Sequence, residues 1–357
     1  MTQAKVLNNV EVITANDPGE MLTALWNLPE QCEEALAIGR KVKLPAGYNS
    51  VSNIVVTGLG GSAIGGDFLR LFVSDKIKVP VVVNRDYILP GFIDSSTLLF
   101  AVSYSGNTEE TLSAYSQAHE KGARIIVLTN GGKLRDLAQR DGYPVITVPT
   151  GISPRAATGY LLIPTLAVLE SLGLLGDLSV EIAEMTAILR NIREKIKPEV
   201  PTEQNLAKQV ANRLFGKIPV IWAACGNTEA VATRWKGQIN ENGKAPAYWN
   251  MFPELNHNEI VGFEQPVELL RQLEIIILRD KHDHQRVQKR MEITKEIVIN
   301  TVSGVTEIWS TGEGRLARLF SLTYIGDFMS VYLATLYGTD PTPVKNIDFL
   351  KNRLADS

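Results

Sequence analysis

The sequence predicts an α/β protein with two related lobes, each a doubly wound parallel sheet flanked by helices, followed by a C-terminal helical tail. Three observations predict this class. Short apolar runs of β-forming residues alternate with helical patterns, which is typical of parallel sheets. The order of these elements recurs in the second half of the chain, in pattern more than in identity. A length of 357 residues also favours two domains over a single core.

The predicted boundaries follow from this repeat. We expect a first lobe over residues 1–177, a helical connector over 178–204 and a second lobe over 205–357. A helical pattern over 17–42 precedes the first sheet. The predicted strands are 54–56, 79–83, 98–102, 124–128 and 144–148 in the first lobe and 218–225, 273–280 and 306–310 in the second. Helices are expected between them, with long ones at 285–300 and 315–338.

Two loops rich in glycine and hydroxyl groups follow strands of the first lobe. GLGGSAIGG at 58–66 follows its first strand and SYSGNTEE at 103–110 its third, and each leads into a helical pattern. Open α/β sheets bind ligands at this edge. Glycines let the backbone approach an anion, and a helix start directs unpaired N–H groups toward it. The residues expected to line this anion cradle are Gly61, Ser62, Ser103, Ser105 and Thr108.

Two other interpretations of these loops stay open. GLGGSA fits the loose dinucleotide-binding pattern GxGxxA, but that pattern wants an acidic residue near position 84, where the chain has Asn84, with Asp86 two residues on. The hydroxyl-rich second loop favours a sugar phosphate over a dinucleotide. Glycine, serine and asparagine also occupy ordinary turns.

Composition and charge exclude some classes of function. A net charge of −3 and the lack of a long Lys/Arg cluster argue against nucleic-acid binding. The most apolar stretch, 158–176, is interrupted by Pro164, Thr165 and Glu170, so a buried helix is expected there and not a membrane span. With no signal-peptide pattern and two distant cysteines, Cys32 and Cys225, the expected location is the cytoplasm.

The motifs resemble those of a known family. TGLGGSAIGGD and SYSGNTEET resemble the sugar isomerase (SIS) domain. With INENGKAP at 239–246, ELNHNEI at 254–260 and DPTPVKNIDFLK at 340–351, nearly the whole chain resembles the bifunctional phosphoglucose/phosphomannose isomerases. The resemblance implies two SIS-type lobes and an isomerase that interconverts glucose 6-phosphate and mannose 6-phosphate with fructose 6-phosphate through a cis-enediolate.

The same resemblance implies roles for four further residues. Glu241 is the implied proton-transferring base, His257 assists ring opening, Arg155 stabilises the negative intermediate, and Lys351 acts near the ring oxygen. Hexose 6-phosphates are the implied substrates, and a homodimer is implied in which His257 is donated across the interface. The resemblance implies neither a metal ion nor another cofactor.

The residues themselves leave several of these roles open. Glu241 ends a helical pattern, where the negative end of the helix dipole favours a protonated carboxyl and so suits a base, but a solvated glutamate would look the same. His257 lies in a polar loop and is either functional or simply exposed. Arg155, ahead of a helix, is equally compatible with an interdomain ion pair. Helical spacing places Lys351 on the inward face of the tail, with Lys345 as the alternative.

Other titratable residues compete for these roles. Glu229 stands in the first turn of a helix, which suits it to capping, and Glu254 and Glu259 flank His257 and could orient it. His282 and His284 suggest a metal only weakly because the sequence offers no third ligand.

Three rival functions remain at this stage. A non-catalytic sugar-phosphate-binding SIS protein would use the same loops. A glutamine-dependent amidotransferase would need a glutaminase domain that begins with cysteine, whereas this sequence begins Met1-Thr2, and a dehydrogenase would bind a nicotinamide cofactor.

Overall fold

The computed structural model describes residues 3–355. The chain forms two compact units, each assembled from separate segments. The first unit comprises residues 26–190 and 311–320; the second comprises the N-terminal segment up to Leu25, residues 191–310 and the chain from Ser321 onward. The lobe boundaries expected from the sequence assumed contiguous segments, and they stay a prediction.

Strands and helices alternate along the chain. The strands are β1 (Asn53–Thr57), β2 (Val81–Asn84), β3 (Thr97–Val102), β4 (Arg124–Thr129), β5 (Val145–Thr147), β6 (Ile218–Ala224), β7 (Tyr248–Phe252), β8 (Leu273–Arg279) and β9 (Gly304–Trp309). The helices are α1 (Gln3–Leu7), α2 (Val10–Ala15), α3 (Met21–Trp26), α4 (Leu28–Arg40), α5 (Gly61–Val73), α6 (Glu109–Glu120), α7 (Gly132–Asp141), α8 (Thr158–Ser171), α9 (Ser179–Ile196), α10 (Leu206–Leu214), α11 (Glu229–Glu241), α12 (Val267–Leu270), α13 (Gln285–Val298), α14 (Arg315–Tyr337) and α15 (Lys345–Ala355). Short 3₁₀ turns lie at Pro154–Ala156, Thr202–Gln204, Glu254–His257 and Glu259–Glu264.

The first unit contains a parallel five-stranded sheet in the order β2-β1-β3-β4-β5. Successive side chains of a strand point to opposite faces, so neighbouring residues serve different layers. Val55, Leu99 and Ile125 share one apolar cluster with Tyr115 of α6 and Leu134 of α7. On the opposite face Val56 packs against α5, where a Cβ on Gly66 would lie 2.9 Å from the valine side chain. Helices therefore cover both faces, which makes the sheet doubly wound.

The second unit contains a parallel four-stranded sheet in the order β7-β6-β8-β9. One face buries Trp222 and Ile277 against Met291 of α13. Helix α11 contacts β6 and β7 and packs on α14, where Gly326 has no side chain to obstruct the indole of Trp235. The predicted α/β class with two parallel sheets and a C-terminal helix is confirmed.

Most differences from the sequence-based expectation concern weakly patterned segments. Strand β7 and helices α1, α2 and α10 were not expected. Strand β7 lies at a sheet edge and is largely half-exposed, so it lacks the continuous apolar run of a central strand. The helical pattern over 17–42 forms two helices, α3 and α4, separated at Asn27.

The apolar stretch beginning at Thr158 forms α8, whose first twelve residues are all buried. A different helix, α14, is long and apolar enough to cross a membrane by length and composition, and 94% of its apolar window is buried inside the protein.

Candidate active site

Both predicted phosphate loops lie at one edge of the first sheet. Strands β1 and β3 are parallel neighbours, with Thr57 paired to Ala101, and each loop follows the carboxyl end of its strand. Strand β2 lies on the other side of β1, so the chain adds strands first on one side of β1 and then on the other. The reversal falls between β1 and β3. This topological switch point, called here the first switch point, is where doubly wound sheets bind ligands.

Glycines bring the first loop close to its neighbours. Gly60 has a φ of +53°, and α5 begins at the next residue. A Cβ at Gly58 would lie 2.8 Å from the carbonyl oxygen of Val102, and one at Gly61 would lie 2.9 Å from that of Pro154. Only glycine fits these positions without movement of backbone. The amino end of α5 is thereby held against both the end of β3 and the 154–156 turn.

The second loop is organised by its own hydroxyl groups. The Ser103 and Thr108 hydroxyl oxygens are 2.9 Å apart, and the Gly106 amide donates to Ser103 Oγ at 3.1 Å. The Asn107 amide donates to Ser105 Oγ at 3.3 Å. Ser103 is buried whereas Ser105 is exposed. The loop therefore presents one accessible hydroxyl and holds two others in a fixed pair.

Arg155 belongs to the same edge of the first unit. It lies in the 154–156 turn and is 5% exposed, and its Cα would be 3.5 Å from a Cβ on Gly61. The backbone of Arg155 therefore lies beside the start of α5, where the helix dipole favours an anion. The first switch point thus combines two helix starts, four hydroxyl groups and one arginine.

Glu241 is the last residue of α11 and lines a cavity of the second unit. The cavity has a volume of about 620 Å³, which lies in the range of small-molecule sites. Its lining residues are Asn240, Glu241, Lys244, Thr339, Asp340, Pro343, Val344, Lys345, Asn346 and Ile347. The end of α11 and the start of the tail form its walls.

Lys244 joins these two walls. Its ammonium donates to the carbonyl oxygens of Glu241, Pro341 and Pro343, the second at 3.0 Å. One ammonium group therefore donates hydrogen bonds to backbone carbonyl oxygens both at the end of α11 and in the proline-rich turn. Lys244 lies within the INENGKAP motif and was not predicted from the sequence, although a lysine just after a helix end is a known capping signal.

The structure corrects the expected orientation of the tail lysines. Lys351 is exposed, as are its helical neighbours Ile347 and Leu354, so it does not point inward within the chain. Lys345 lines the Glu241 cavity. Spacing alone could not decide this, because α15 presents apolar residues to solvent on several sides, among them Phe349 and Leu350.

His257 is exposed on a 3₁₀ turn, as its polar context predicted. The flanking carboxylates have other partners. Glu259 accepts from the indole Nε1 of Trp222 at 2.8 Å and from the Asn250 side-chain amide, and Glu254 accepts from Asn258 at 3.2 Å. Glu259 therefore anchors the loop to β6 and β7 instead of orienting the imidazole directly.

The corresponding edge of the second sheet has a different chemistry. Between β6 and β8, at what we call the second switch point, Glu229 accepts the Gly226 amide and Asp283 Oδ1 accepts the Asn227 side-chain amide at 2.7 Å. Asp283 Oδ2 accepts the Asp280 amide at 3.1 Å. Burial raises the pKa of Asp283 to about 6. The backbone amides here are bound by carboxylates of the chain itself.

The two histidines that weakly suggested a metal lie beside this edge. His284 Nδ1 accepts the Arg286 amide and caps α13. Within residues 3–355, no three His, Cys, Asp or Glu side chains are grouped as a metal site would require. Both cysteines are reduced thiols.

Comparisons with known proteins agree with this architecture. Residues 48–172 match the SIS domain, and residues 203–354 match the bacterial phospho-glucose isomerase C-terminal SIS domain. A solved structure of a hypothetical protein from Thermus thermophilus superposes with a TM-score of 0.75 over 97% of this chain and 93% of that one, at 18% identity. The fold and the loops at its first switch point therefore define an SIS-domain protein.

Closer relatives define the family. A bifunctional phosphoglucose/phosphomannose isomerase from Caldicellulosiruptor bescii is 54% identical over 94% of this chain and 99% of its own length. One from Aquifex aeolicus is 40% identical over 84% of this chain and 90% of its own. The chain belongs to the family of bifunctional phosphoglucose/phosphomannose isomerases.

Proposed function

We propose that this protein interconverts glucose 6-phosphate and mannose 6-phosphate with fructose 6-phosphate. The observation that carries the proposal is the first switch point, where two glycine- and hydroxyl-rich helix starts and Arg155 meet at the carboxyl edge of one sheet. Family membership supplies the reaction class, since the relatives are named as isomerases of these two sugars. The alternative of a non-catalytic sugar-phosphate-binding protein is not favoured by those relatives.

The phosphate would be held by backbone N–H groups near Gly61 and by hydroxyl groups. The proposed hydroxyl donors are those of Ser62, Ser103, Ser105 and Thr108. Such contacts are remote from the reacting carbons and serve to fix the open-chain sugar. Two helix starts favour an anion without a metal ion or a lysine at the phosphate.

The chemistry proposed for the sugar is a proton transfer between C1 and C2. His257 and a tail lysine assist ring opening. From the ketose, Glu241 removes a C1 proton to form the cis-enediolate and returns it to C2, while a second proton passes from O1 to O2. Arg155 offsets the negative charge. C2 of the enediolate is planar, so protonation of one face gives the glucose epimer and of the other face the mannose epimer. One base therefore serves both substrates if the pocket allows a bond rotation that turns the other face of C2 toward it before reprotonation.

Two candidates exist for the tail lysine. The resemblance assigns Lys351, whereas the cavity around Glu241 is lined by Lys345. We keep Lys351 as the proposed residue and Lys345 as its alternative. Comparing Lys351→Gln with Lys345→Gln discriminates them, because loss of the active lysine lowers kcat by about tenfold or more.

Assembly and location belong to the same proposal. The exposed position of His257 and the family resemblance support a homodimer in which each subunit donates this histidine to its neighbour. Two reduced thiols support a cytoplasmic location, where cysteines stay in that form.

The proposal is tested by isotope transfer. Chelator-treated protein is incubated with fructose 6-phosphate in deuterated water, and the sugars are followed by NMR to partial conversion. We expect glucose and mannose 6-phosphates that carry deuterium at C2, because the base exchanges its proton with solvent.

The control is Glu241→Gln, which cannot accept the proton. It should retain binding of fructose 6-phosphate and lose turnover by about a thousandfold or more. Unlabelled products together with an active Glu241→Gln variant would exclude this mechanism, and binding without turnover by the parent protein would favour the non-catalytic alternative.

A further inference from the structure

Helix α11, which ends in Glu241, carries a row of buried polar side chains. Arg234, Gln238 and Asn242 recur at every fourth residue and therefore lie along one side of the helix. Their exposed fractions are 4%, 2% and 0%. Polar residues at such positions are unusual, because the buried stripe of a helix is ordinarily apolar.

Each member of the row bonds to α14. Arg234 forms a bidentate ion pair with Asp327, in which Nε donates to Oδ1 at 2.9 Å and Nη2 donates to Oδ2 at 2.8 Å. The Gln238 side-chain amide donates to Asp327 Oδ1 at 3.0 Å. The Asn242 side-chain amide donates to Ser330 Oγ at 2.9 Å. The side chain of Asp327 is completely buried.

Stability alone explains such a pair poorly. Removing two charges from water costs about as much as their attraction returns, and apolar replacements of similar volume are often neutral or stabilising. What a two-pronged guanidinium–carboxylate contact supplies is direction, because both bonds hold only at one relative orientation. Two helices in apolar contact can shift slightly along or around each other, whereas helices joined by this row of polar contacts cannot.

We propose that the Arg234–Asp327 pair, together with Gln238, positions Glu241 for proton transfer. This inference rests on the proposed function, in which Glu241 is the base. Glu241 lies three residues beyond Gln238, about 4.5 Å along the helix axis. The rotation of α11 about its axis and its position along that axis, both fixed by the row of polar contacts, therefore determine where the Glu241 carboxylate lies. A displacement of about 1 Å in a catalytic group can cost about a hundredfold in rate.

The test replaces the pair without leaving a charge unpaired. Arg234→Met combined with Asp327→Leu should fold, with a thermal midpoint below that of the parent by no more than the loss of the one buried hydrogen bond of Gln238 requires. We expect kcat to fall about 10- to 100-fold while KM for fructose 6-phosphate changes less than about threefold, because the phosphate contacts are untouched. In a Glu241→Gln background the same double change should cause no further loss of the residual rate, since residues acting through one group are not additive.

Two further variants keep the test decisive. Tyr332→Phe removes another buried hydrogen bond of α14, that to the Ile196 carbonyl, and should leave kcat unchanged. Gln238→Met removes one donor but keeps the ion pair and should lower kcat about three- to tenfold. If the double variant does not fold, Gln238→Met alone decides the matter.

Two results would overturn the inference. One is a folded double variant with kcat within about twofold of the parent, and the other is a parental kcat in Gln238→Met when the double variant fails to fold. Either leaves the proposed function intact so long as Glu241→Gln abolishes turnover. An active Glu241→Gln protein would instead remove the base assignment itself.

Discussion

The first and second switch points share a topology and differ in the charge of the side chains that bind their loop amides. At the first, the neutral hydroxyl groups of Ser103 and Ser105 accept from the amides of Gly106 and Asn107. At the second, Glu229 and Asp283 accept bonds from the loop amides and from Asn227. The same parallel-strand geometry thus carries neutral hydroxyl groups at one edge and carboxylates at the other.

The difference teaches that an α/β edge becomes an anion site through its side chains. Neutral hydroxyls and glycine leave N–H groups and the helix dipole available to a phosphate. A buried carboxylate satisfies the same donors and repels a second anion. Exchanging these features between the two edges should therefore exchange their behaviour.

The largest effect is expected from placing a carboxylate at the first switch point. Ser105→Asp should lower kcat/KM for fructose 6-phosphate about 100-fold or more, because a fixed negative charge would face the phosphate at short range. Ser105 is exposed, so the fold should tolerate the change. Steady-state kinetics and protection against unfolding by inorganic phosphate provide the measurements. Ser105→Asn, similar in size but neutral, is the matched control, and equal kinetics for the two variants would contradict the electrostatic explanation.

A smaller, pH-dependent effect is expected at the second switch point. Because burial raises the pKa of Asp283 from 3.8 to about 6, its neutral form favours folding, and this contribution is complete below pH 3.8 and lost as the pH rises through about 6. Asp283→Asn is neutral at every pH. Its free energy of unfolding relative to the parent should therefore rise by about 2–3 kcal/mol between about pH 4 and pH 8. Urea unfolding across this range measures the difference, and a constant offset at all pH values would show that the carboxyl does not titrate there.

The smallest effect is expected from replacing a glycine in each of the helices that follow the two switch points. Gly61→Ala should destabilise the protein by about 1–2 kcal/mol, because the new Cβ would lie 2.9 Å from the Pro154 carbonyl oxygen. Gly237→Ala, inside α11, has no neighbouring atom within 4 Å and should stabilise by about 0.5–1 kcal/mol through helix propensity. Thermal unfolding compares the two. If both substitutions changed the stability in the same direction, close packing at the first loop would not be the reason that glycine is required there.

The central elements of the fold were predictable because their signals are local. The strands β1, β3, β4, β6 and β8 carry continuous apolar runs, and parallel strands buried on both faces require them. The edge strand β7 carries no such run and was missed. Its pairing joins Val220 to Tyr248 and so depends on a distant segment, which no local pattern contains.

Much of the candidate site was also predictable, but its supporting contacts were not. GLGGSA and SYSGNT mark helix starts after strands, so the first switch point could be located from the sequence. The spacing of Arg234, Gln238 and Asn242 was visible, yet their partners Asp327 and Ser330 lie far along the chain, and only folding pairs them. The prediction that Lys351 points inward was wrong, because helical spacing gives the relative positions of residues on a helix and not which side of the helix faces the protein.

By itself, the sequence determined the α/β class and the two glycine- and hydroxyl-rich loops, because apolar period, turn chemistry and helix ends are encoded within a few residues. The candidate base was implied by the family resemblance. Tertiary structure alone decided that the two loops share one edge, that carboxylates occupy the amides of the other edge, and that Lys345 and not Lys351 lines the cavity with Glu241. These are relations between distant segments, and they follow from the strand order and helix packing that bury the apolar surfaces.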